Sequence, residues 1–275
     1  MAIGEVQVSV TSTLEAFERD GYVVLQGALT PAEVDRLTEA VDRIYAVELP
    51  DGGPLHLLAF CGREEVFLEL LDHPTTLPFV VDVLGPNILM HHCHLDVHPP
   101  EVLEAARPWM WHQDGGVVNR DLESSPRPRL SLKIAYFLTD LSEPGRGNFV
   151  VLPGSHRSNE IDRPADDDNA LPGAVPILAK PGDAVVFDRR LWHMRSPNAS
   201  TLTRKALFYA YTFRWIRARD DLRVRADLTH VITPVRAQLL GAGAHAIDFW
   251  MPDLVDLPLR GAVSGSTRAP RRPPA

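Results

Sequence analysis

The segment Trp111-His112-Gln113-Asp114-Gly115-Gly116 sets an imidazole and a carboxylate two positions apart, so on an extended strand both point to one face. Two donors on one face chelate one cation. A third donor follows at His193, just after the apolar run 184–187 that the turn Pro181-Gly182-Asp183 introduces. Two imidazoles and one carboxylate suit non-haem iron(II), because they leave three adjacent coordination positions for other reactants. A second His-x-Asp, His94-Leu95-Asp96, lies in the histidine-rich run 91–98, where His92, His94, Asp96 and His98 share a strand face. The pair at 112 and 114 is favoured, since it sits between aromatic residues and a Gly-Gly turn, where a strand would end at the mouth of a barrel. The 91–98 run then reads as a polar strand face, with His92 or His94 as a contact for cosubstrate or substrate.

Eleven positions beyond His193 stands Arg204. A dicarboxylate that chelates a metal on His193 through a 2-oxo acid end must place its far carboxylate deeper in the protein. A guanidinium suits that end because it stays charged and offers a bidentate fork. Ser196 would add a hydroxyl hydrogen bond. In the run 130–137, Ser131, Lys133, Ala135 and Phe137 share one face and Leu130, Leu132, Ile134 and Tyr136 the other. If the small-residue face lines a pocket, Lys133 points inward to meet a carboxylate; otherwise it snorkels outward.

These groups need a frame. Residues 12–20 have helical spacing, with Ser12 as N-cap and Gly21 as a stop, before the strand-like run Tyr22 to Leu25. Thr30-Pro31-Ala32-Glu33 carries an N-cap, a first-turn proline and a capping-box glutamate, opening an amphipathic helix through about Val47. A turn-rich stretch spans residues 50–54, and residues 63–84 read as helical, broken by Pro74 and Pro78. From about residue 87 the texture changes to short alternating segments separated by Gly, Pro, Asn and Asp, which predicts an antiparallel barrel or sandwich. Its strands are expected at 88–98, 130–138, 148–153, 175–179, 184–188 and 206–216. Residues 159–173, with three consecutive aspartates at 166–168, read as a mobile acidic loop between strands, a plain solvated loop or else a lid over a pocket, and 263–275 as a disordered tail after a single domain of 1–262.

The chain's 275 residues, 45% apolar and 23% charged, suffice for one sizeable core. A net charge of −8 argues against general attraction to nucleic acid or anionic membrane and for small-molecule chemistry. Residues 189–225 depart from that balance, with ten Lys or Arg against Asp220 and Asp221, so an anionic ligand is conceivable there beside the plainer reading of a solvated surface. Cys61 and Cys93 lack CxxC spacing, which speaks for reduced thiols. The N-terminus has no signal-like run and no stretch reaches about 20 apolar residues, so a cytoplasmic protein is expected. Nothing in the sequence sets the oligomeric state.

Taken together, the motifs resemble the phytanoyl-CoA dioxygenase family across most of residues 14–215. The opening Phe17-Glu18-Arg19-Asp20-Gly21-Tyr22-Val23-Val24-Leu25, the metal motif Trp111-His112-Gln113-Asp114 and the segment Gly147-Asn148-Phe149-Val150-Val151-Leu152-Pro153-Gly154-Ser155-His156 are similar to that family's, in order. Gly182-Asp183 through His193, Pro197-Asn198 and Arg204 match its distal region. The resemblance implies a mainly β, double-stranded β-helix (jelly-roll, cupin-like) barrel with flanking helices. It also implies iron(II) held by His112, Asp114 and His193, 2-oxoglutarate anchored by Arg204, and dioxygen as oxidant, with succinate and carbon dioxide released. Ser196, Lys133 and His94 are the further expected cosubstrate contacts. Arg195 departs from the small polar residue usual two places after the distal histidine, and Phe149 from a usual leucine. Because Asp114 is present, the resemblance implies hydroxylation, desaturation, epimerisation or ring formation of a small molecule, such as a specialised metabolite, rather than halogenation. The rival readings are a cupin-like metal enzyme without 2-oxoglutarate, a non-catalytic sensor barrel, and a structural metal site, for which four closed ligands would be expected.

Overall fold

The computed structural model describes residues 10–101, 111–162, 171–242, 250–253 and 256–263. Its first elements follow local chemistry. Helix α1 (Val10–Asp20) ends at Gly21, and strand β1 (Tyr22–Leu25) begins immediately after it. Helix α2 (Pro31–Glu48) starts with the full capping box: Thr30 Oγ1 accepts from Glu33 N at 3.3 Å while Thr30 N donates to Glu33 Oε2 at 2.7 Å. Its buried stripe is Val34, Leu37, Ala40, Val41 and Ile44, the spacing of one helical face. Strand β2 (Leu55–Leu58) was not foreseen, because four residues squeezed between a Gly-Pro turn and a 3-10 turn carry little periodic signal. The stretch read as one broken helix resolves into α3 (Glu65–Glu69), a 3-10 turn and α4 (Leu77–Leu84). Pro74 lies in the break. Pro78 does not break anything; it sits in the first turn of α4, where a missing N–H costs nothing.

Beyond these lie β3 (Ile88–His98), the short α5 (Val117–Asp121), β4 (Ser131–Phe137), β5 (Phe149–Val151), β6 (Val175–Pro176), β7 (Ala184–Asp188), β8 (His193–Arg195) and β9 (Arg204–Phe213). Helices α6 (Pro234–Leu239) and α7 (Pro258–Ala262) follow. The strands form a six-stranded sheet in the order β1-β7-β4-β9-β3-β2 and a three-stranded sheet β6-β5-β8, all pairs antiparallel. The protein is thus mainly β with flanking helices. The acidic segment lies partly, and the C-terminal tail almost wholly, outside the described residues. Among the described residues no helix is long and apolar enough to cross a membrane.

The two faces of the large sheet have different partners. Leu132, Ile134, Tyr136, Val186, Leu207, Tyr209 and Tyr211 turn outward onto the helices and join the main core. The three tyrosines keep their hydroxyls satisfied there, Tyr136 with Thr76 at 2.6 Å, Tyr209 on Phe67 O at 2.9 Å and Tyr211 on Leu71 O at 2.8 Å. The opposite face, with Ala135, Phe137, Val185, Phe187, Ala206 and Phe208, packs against Phe149, Val151 and Ile177 of the small-sheet side. Lys133 belongs to this inner, small-residue face.

Register puts polar groups in rows across that face. Phe187, Lys133, Ala210 and His92 are successive cross-strand partners; Val185, Ala135, Phe208 and His94 form the next row. A β-bulge between Met90 and His92 inserts His91 as an extra residue, which re-aims β3 and moves its histidines to this face.

Candidate active site

His112 is not on a regular strand. It forms a single antiparallel bridge with His193, whose N donates to His112 O at 3.0 Å while His112 N donates to His193 O at 3.1 Å. Asp114 opens a turn through Gly116. Even so, the donors converge as the spacing predicts: ligand atoms of His112, Asp114 and His193 all lie within 4.8 Å of one another. The turn is held from several sides. Asp114 N donates to Arg189 O at 2.8 Å, and Asp114 O accepts from Asn119 Nδ2 at 3.2 Å and from Arg189 Nη2 at 3.1 Å. Gly115 is needed for this approach, since with φ +131 a Cβ there would lie 1.8 Å from Arg189 Nη2.

His193 and Asp114 are in the right protonation states for a cation. His193 Nδ1 lies 2.8 Å from Leu191 O, which accepts only from an N–H, so Nε2 presents its lone pair. Burial, then the neighbouring His112, pushes the His193 pKa down to about 3, keeping the ring neutral. For Asp114 burial works against ionisation, but Lys133 first and then His193 and His112 outweigh it and hold the carboxyl well below the usual carboxylate range. Lys133 Nζ is 2.9 Å from Asp114 Oδ2, wedged 5.9 Å from the Phe187 ring and 5.8 Å from that of Phe208. The sequence left its direction open; it points inward and meets a carboxylate, that of Asp114.

Arg204 is the most conspicuous buried group, 1% exposed. Its Nε and Nη1 find no hydrogen-bond partner among the described residues, and the nearest carboxylate oxygen, Asp96 Oδ2, is 3.9 Å from Nη1. Burial lowers its pKa to about 10, with Asp96 acting in the opposite direction, so it remains charged at neutral pH. Gly147, at φ +70, makes room for it: a Cβ there would lie 2.7 Å from Arg204 Cδ. The loop before Arg204 is braced by Glu101, which accepts from Arg195 Nη2 at 2.7 Å and from Asn198 N at 2.8 Å. Arg195 therefore serves the loop. Ser196 is buried, but its hydroxyl contacts Pro197 O at 3.4 Å and it does not line the cavity around Arg204.

That cavity, about 520 Å³, contains the three donors together with Arg204, Lys133 and His94. His94 stacks on Phe208 with ring centroids 4.3 Å apart, and burial first of all keeps it neutral by holding its pKa well below the ordinary value. The second His-x-Asp also gathers donors, His56, His94 and Asp96, within 4.8 Å. There His56 Nδ1 is already engaged with Asp96 Oδ1 at 2.6 Å, and the Arg204 guanidinium stands beside Asp96. His56 and Glu101 were invisible in the sequence, having no motif of their own; only strand pairing and loop packing bring them in.

Comparison with known proteins supplies an independent view. A family model described as phytanoyl-CoA dioxygenase matches residues 17–206. An ectoine dioxygenase of Stutzerimonas stutzeri is 25% identical over 234 residues, covering 72% of this chain and 75% of that protein. The peroxisomal phytanoyl-CoA dioxygenase of Bos taurus is 24% identical over 225 residues, 70% of this chain and 65% of its own. Among solved structures, HygX from Streptomyces hygroscopicus, with nickel and 2-oxoglutarate bound, superposes with a TM-score of 0.65 at 17% identity, covering 81% of this chain and 94% of HygX.

Proposed function

Because this chain belongs to the phytanoyl-CoA dioxygenase family, we propose that His112, Asp114 and His193 hold its iron(II) and that Arg204 anchors its 2-oxoglutarate. The protein is a 2-oxoglutarate-dependent, non-haem iron dioxygenase acting on a small molecule. The observation that carries the residue assignment is the buried Arg204 guanidinium, its Nε and Nη1 without hydrogen-bond partners, sharing one cavity with a two-histidine, one-carboxylate donor set. A buried cation with unsatisfied N–H groups and only a distant carboxylate is costly unless a ligand completes it, and a carboxylate of 2-oxoglutarate is the matching group. The two facing sheets are read as the halves of a double-stranded β-helix; Asp114 fills the position an added halide would need, which sets halogenation aside and leaves hydroxylation as the proposed outcome ahead of desaturation, epimerisation or ring formation.

When bound, iron(II) supplies the activation of dioxygen coupled to oxidative decarboxylation of 2-oxoglutarate. The chain's own part is positioning. His193 offers Nε2 because Leu191 O fixes its Nδ1 proton, and Lys133, 2.9 Å from Asp114 Oδ2, keeps that carboxylate ionised and in place beside the two imidazoles that would hold the metal with it. Phe137 and Phe208, whose rings lie 5.9 and 6.0 Å from the Arg204 guanidinium carbon, exclude water from the anchoring end and strengthen its charge pairing. His94 adds a neutral polar wall. Ser196 acts indirectly, through the loop that leads into Arg204.

The test needs no known substrate. Iron(II)-loaded protein is mixed with 2-oxoglutarate without oxygen, air is admitted, and succinate is quantified. Wild type is expected to form succinate slowly. His112→Ala should form none while keeping its fold by circular dichroism. Absence of both succinate and 2-oxoglutarate binding in the metal-loaded wild type sinks the assignment.

A further inference from the structure

A second cavity, about 560 Å³, meets the first at His92, Asp114, Gly115, Gly116, Lys133 and Arg219 but extends away from Arg204. Its size suits a small organic ligand of up to drug-like dimensions. Two features of its walls point to the ligand. The first is charge. Lys133, Arg189 and Arg219 line it, and Asp114 is the one lining carboxylate among the described residues; Lys133 already answers that carboxylate. Arg189 and Arg219 are left in excess, Arg219 only loosely offset by Asp220 at 3.9 Å. The second is an unsatisfied donor. Arg189 is 3% exposed, and its Nη2 is spent on Asp114 O and on Asn119 Oδ1 at 2.6 Å, yet its Nη1 has no hydrogen-bond partner among the described residues. A guanidinium cannot shed its charge to escape burial, so the two unpaired N–H groups of this nitrogen are a standing cost that ligand oxygens remove.

The rest of the lining is apolar or weakly polar. Leu130, Ala210 and Ile216 form the wall, and Val117 and Val118, 61% and 39% exposed, present side chains that nothing in the described fold covers. The bulge at His91 brings two consecutive histidines, His91 and His92, to the same cavity, which an unbroken strand cannot do. His92 is committed to Asp220 at 2.7 Å, whereas His91 Nδ1 is buried without a partner.

We propose that this second cavity is the primary-substrate site and that it selects an organic carboxylate with an apolar body, its carboxylate received by Arg189 Nη1 and drawn in by Arg219 at the mouth. The inference rests on the oxygenase reading given above. A carboxylate fits better than a phosphate dianion because only one guanidinium nitrogen, with its two N–H groups, is left unpaired, too few donors to replace the hydration of three phosphate oxygens. Arg189 is then a specificity residue that reports on the substrate end, as Arg204 does on the cosubstrate end.

The experiment separates the two ends. Protein saturated with nickel(II) and 2-oxoglutarate is titrated calorimetrically with hydrocinnamate and decanoate, each against its primary amide, and with phenyl phosphate. The acids are expected to bind about tenfold or more tightly than the amides, the difference one charge-assisted hydrogen bond makes. Arg189→Lys and Arg189→Gln should erase that preference, Arg219→Gln should weaken it a few-fold, and Arg36→Gln, an exposed arginine paired with Glu69 and outside both cavities, should leave it intact. Equal affinity for acid and amide, no binding of either, or a preference for phenyl phosphate each overturns the carboxylate assignment while 2-oxoglutarate binding is still seen. If 2-oxoglutarate itself fails to bind the metal-loaded protein, the oxygenase residue assignment fails instead. The acid-over-amide preference, and its loss in the Arg189 variants alone, is then read on metal-free protein.

Discussion

Replacing Arg204 by Met tests the anchoring role where structure makes an unusual demand. Losing a buried charged residue ordinarily destabilises a fold by stranding its partner. Here the partner is nearly absent: Nε and Nη1 are unpaired, and Asp96, 3.9 Å away, keeps His56 at 2.6 Å. Met fills most of the same volume beside Phe137 and Phe208, so Arg204→Met should keep or raise the melting temperature of the metal-free protein. Binding of 2-oxoglutarate should suffer heavily. Two charge-assisted hydrogen bonds at about 1.5–3 kcal/mol each, reduced for non-additivity, come to about 3–4 kcal/mol, or roughly 200- to 1000-fold in affinity. Arg204→Lys, with a point charge in place of a fork, should fall between. Calorimetric titration of 2-oxoglutarate into nickel-loaded protein gives the affinities, and differential scanning calorimetry the stabilities. A Met variant that binds 2-oxoglutarate within a few-fold of wild type refutes the anchor, and one that unfolds refutes the claim that the guanidinium is uncompensated.

Lys133→Met should act in opposite directions on the two states of the site. The metal-free protein should lose about 2 kcal/mol, less than the full cost of breaking a buried pair because Asp114 is 23% exposed, while the metal-induced rise in melting temperature should grow, since no ammonium opposes the cation; an unchanged metal-induced rise would count against the pairing. The capping box of α2 makes a pH-dependent contribution. Burial opposes ionisation of Glu33, but the Thr30 backbone and hydroxyl and then His73 prevail and push its pKa down to about 2. A depressed carboxyl stabilises fully above its unfolded value near 4.3 and loses that contribution as pH falls toward 2. The stability gap between wild type and Glu33→Gln should therefore be about 1 kcal/mol at neutral pH and close between pH 5 and 2; urea titrations at several pH values that show a constant gap contradict it.

Local signals were legible wherever the physics is local. Thr30, Pro31 and Glu33 announced α2 because a capping box closes within four residues, and alternation placed β3, β4 and β7 nearly to the residue. The short strands β2 and β8 carried too few residues to show a period. Pro78 misled because the sequence alone does not distinguish a proline that ends a helix from one that begins it. His112 and Asp114 were found through a strand geometry the chain does not use there; the bridge to His193 and the turn at Gly115 bring them together instead.

The amino-acid sequence by itself determined the inventory of chemistry and its order: the donors at 112, 114 and 193, the guanidinium at 204, and the β texture that carries them. Tertiary structure alone decided their company. That Lys133 answers Asp114, that His56 occupies Asp96, and that Arg189 Nη1 is left without a partner beside the site all follow from sheet register, the bulge at His91 and loop packing. Spacing fixes which face a side chain takes within its own strand. Which strand lies opposite, and at what offset, is settled by the sum of contacts over the whole core, and no short segment contains that sum.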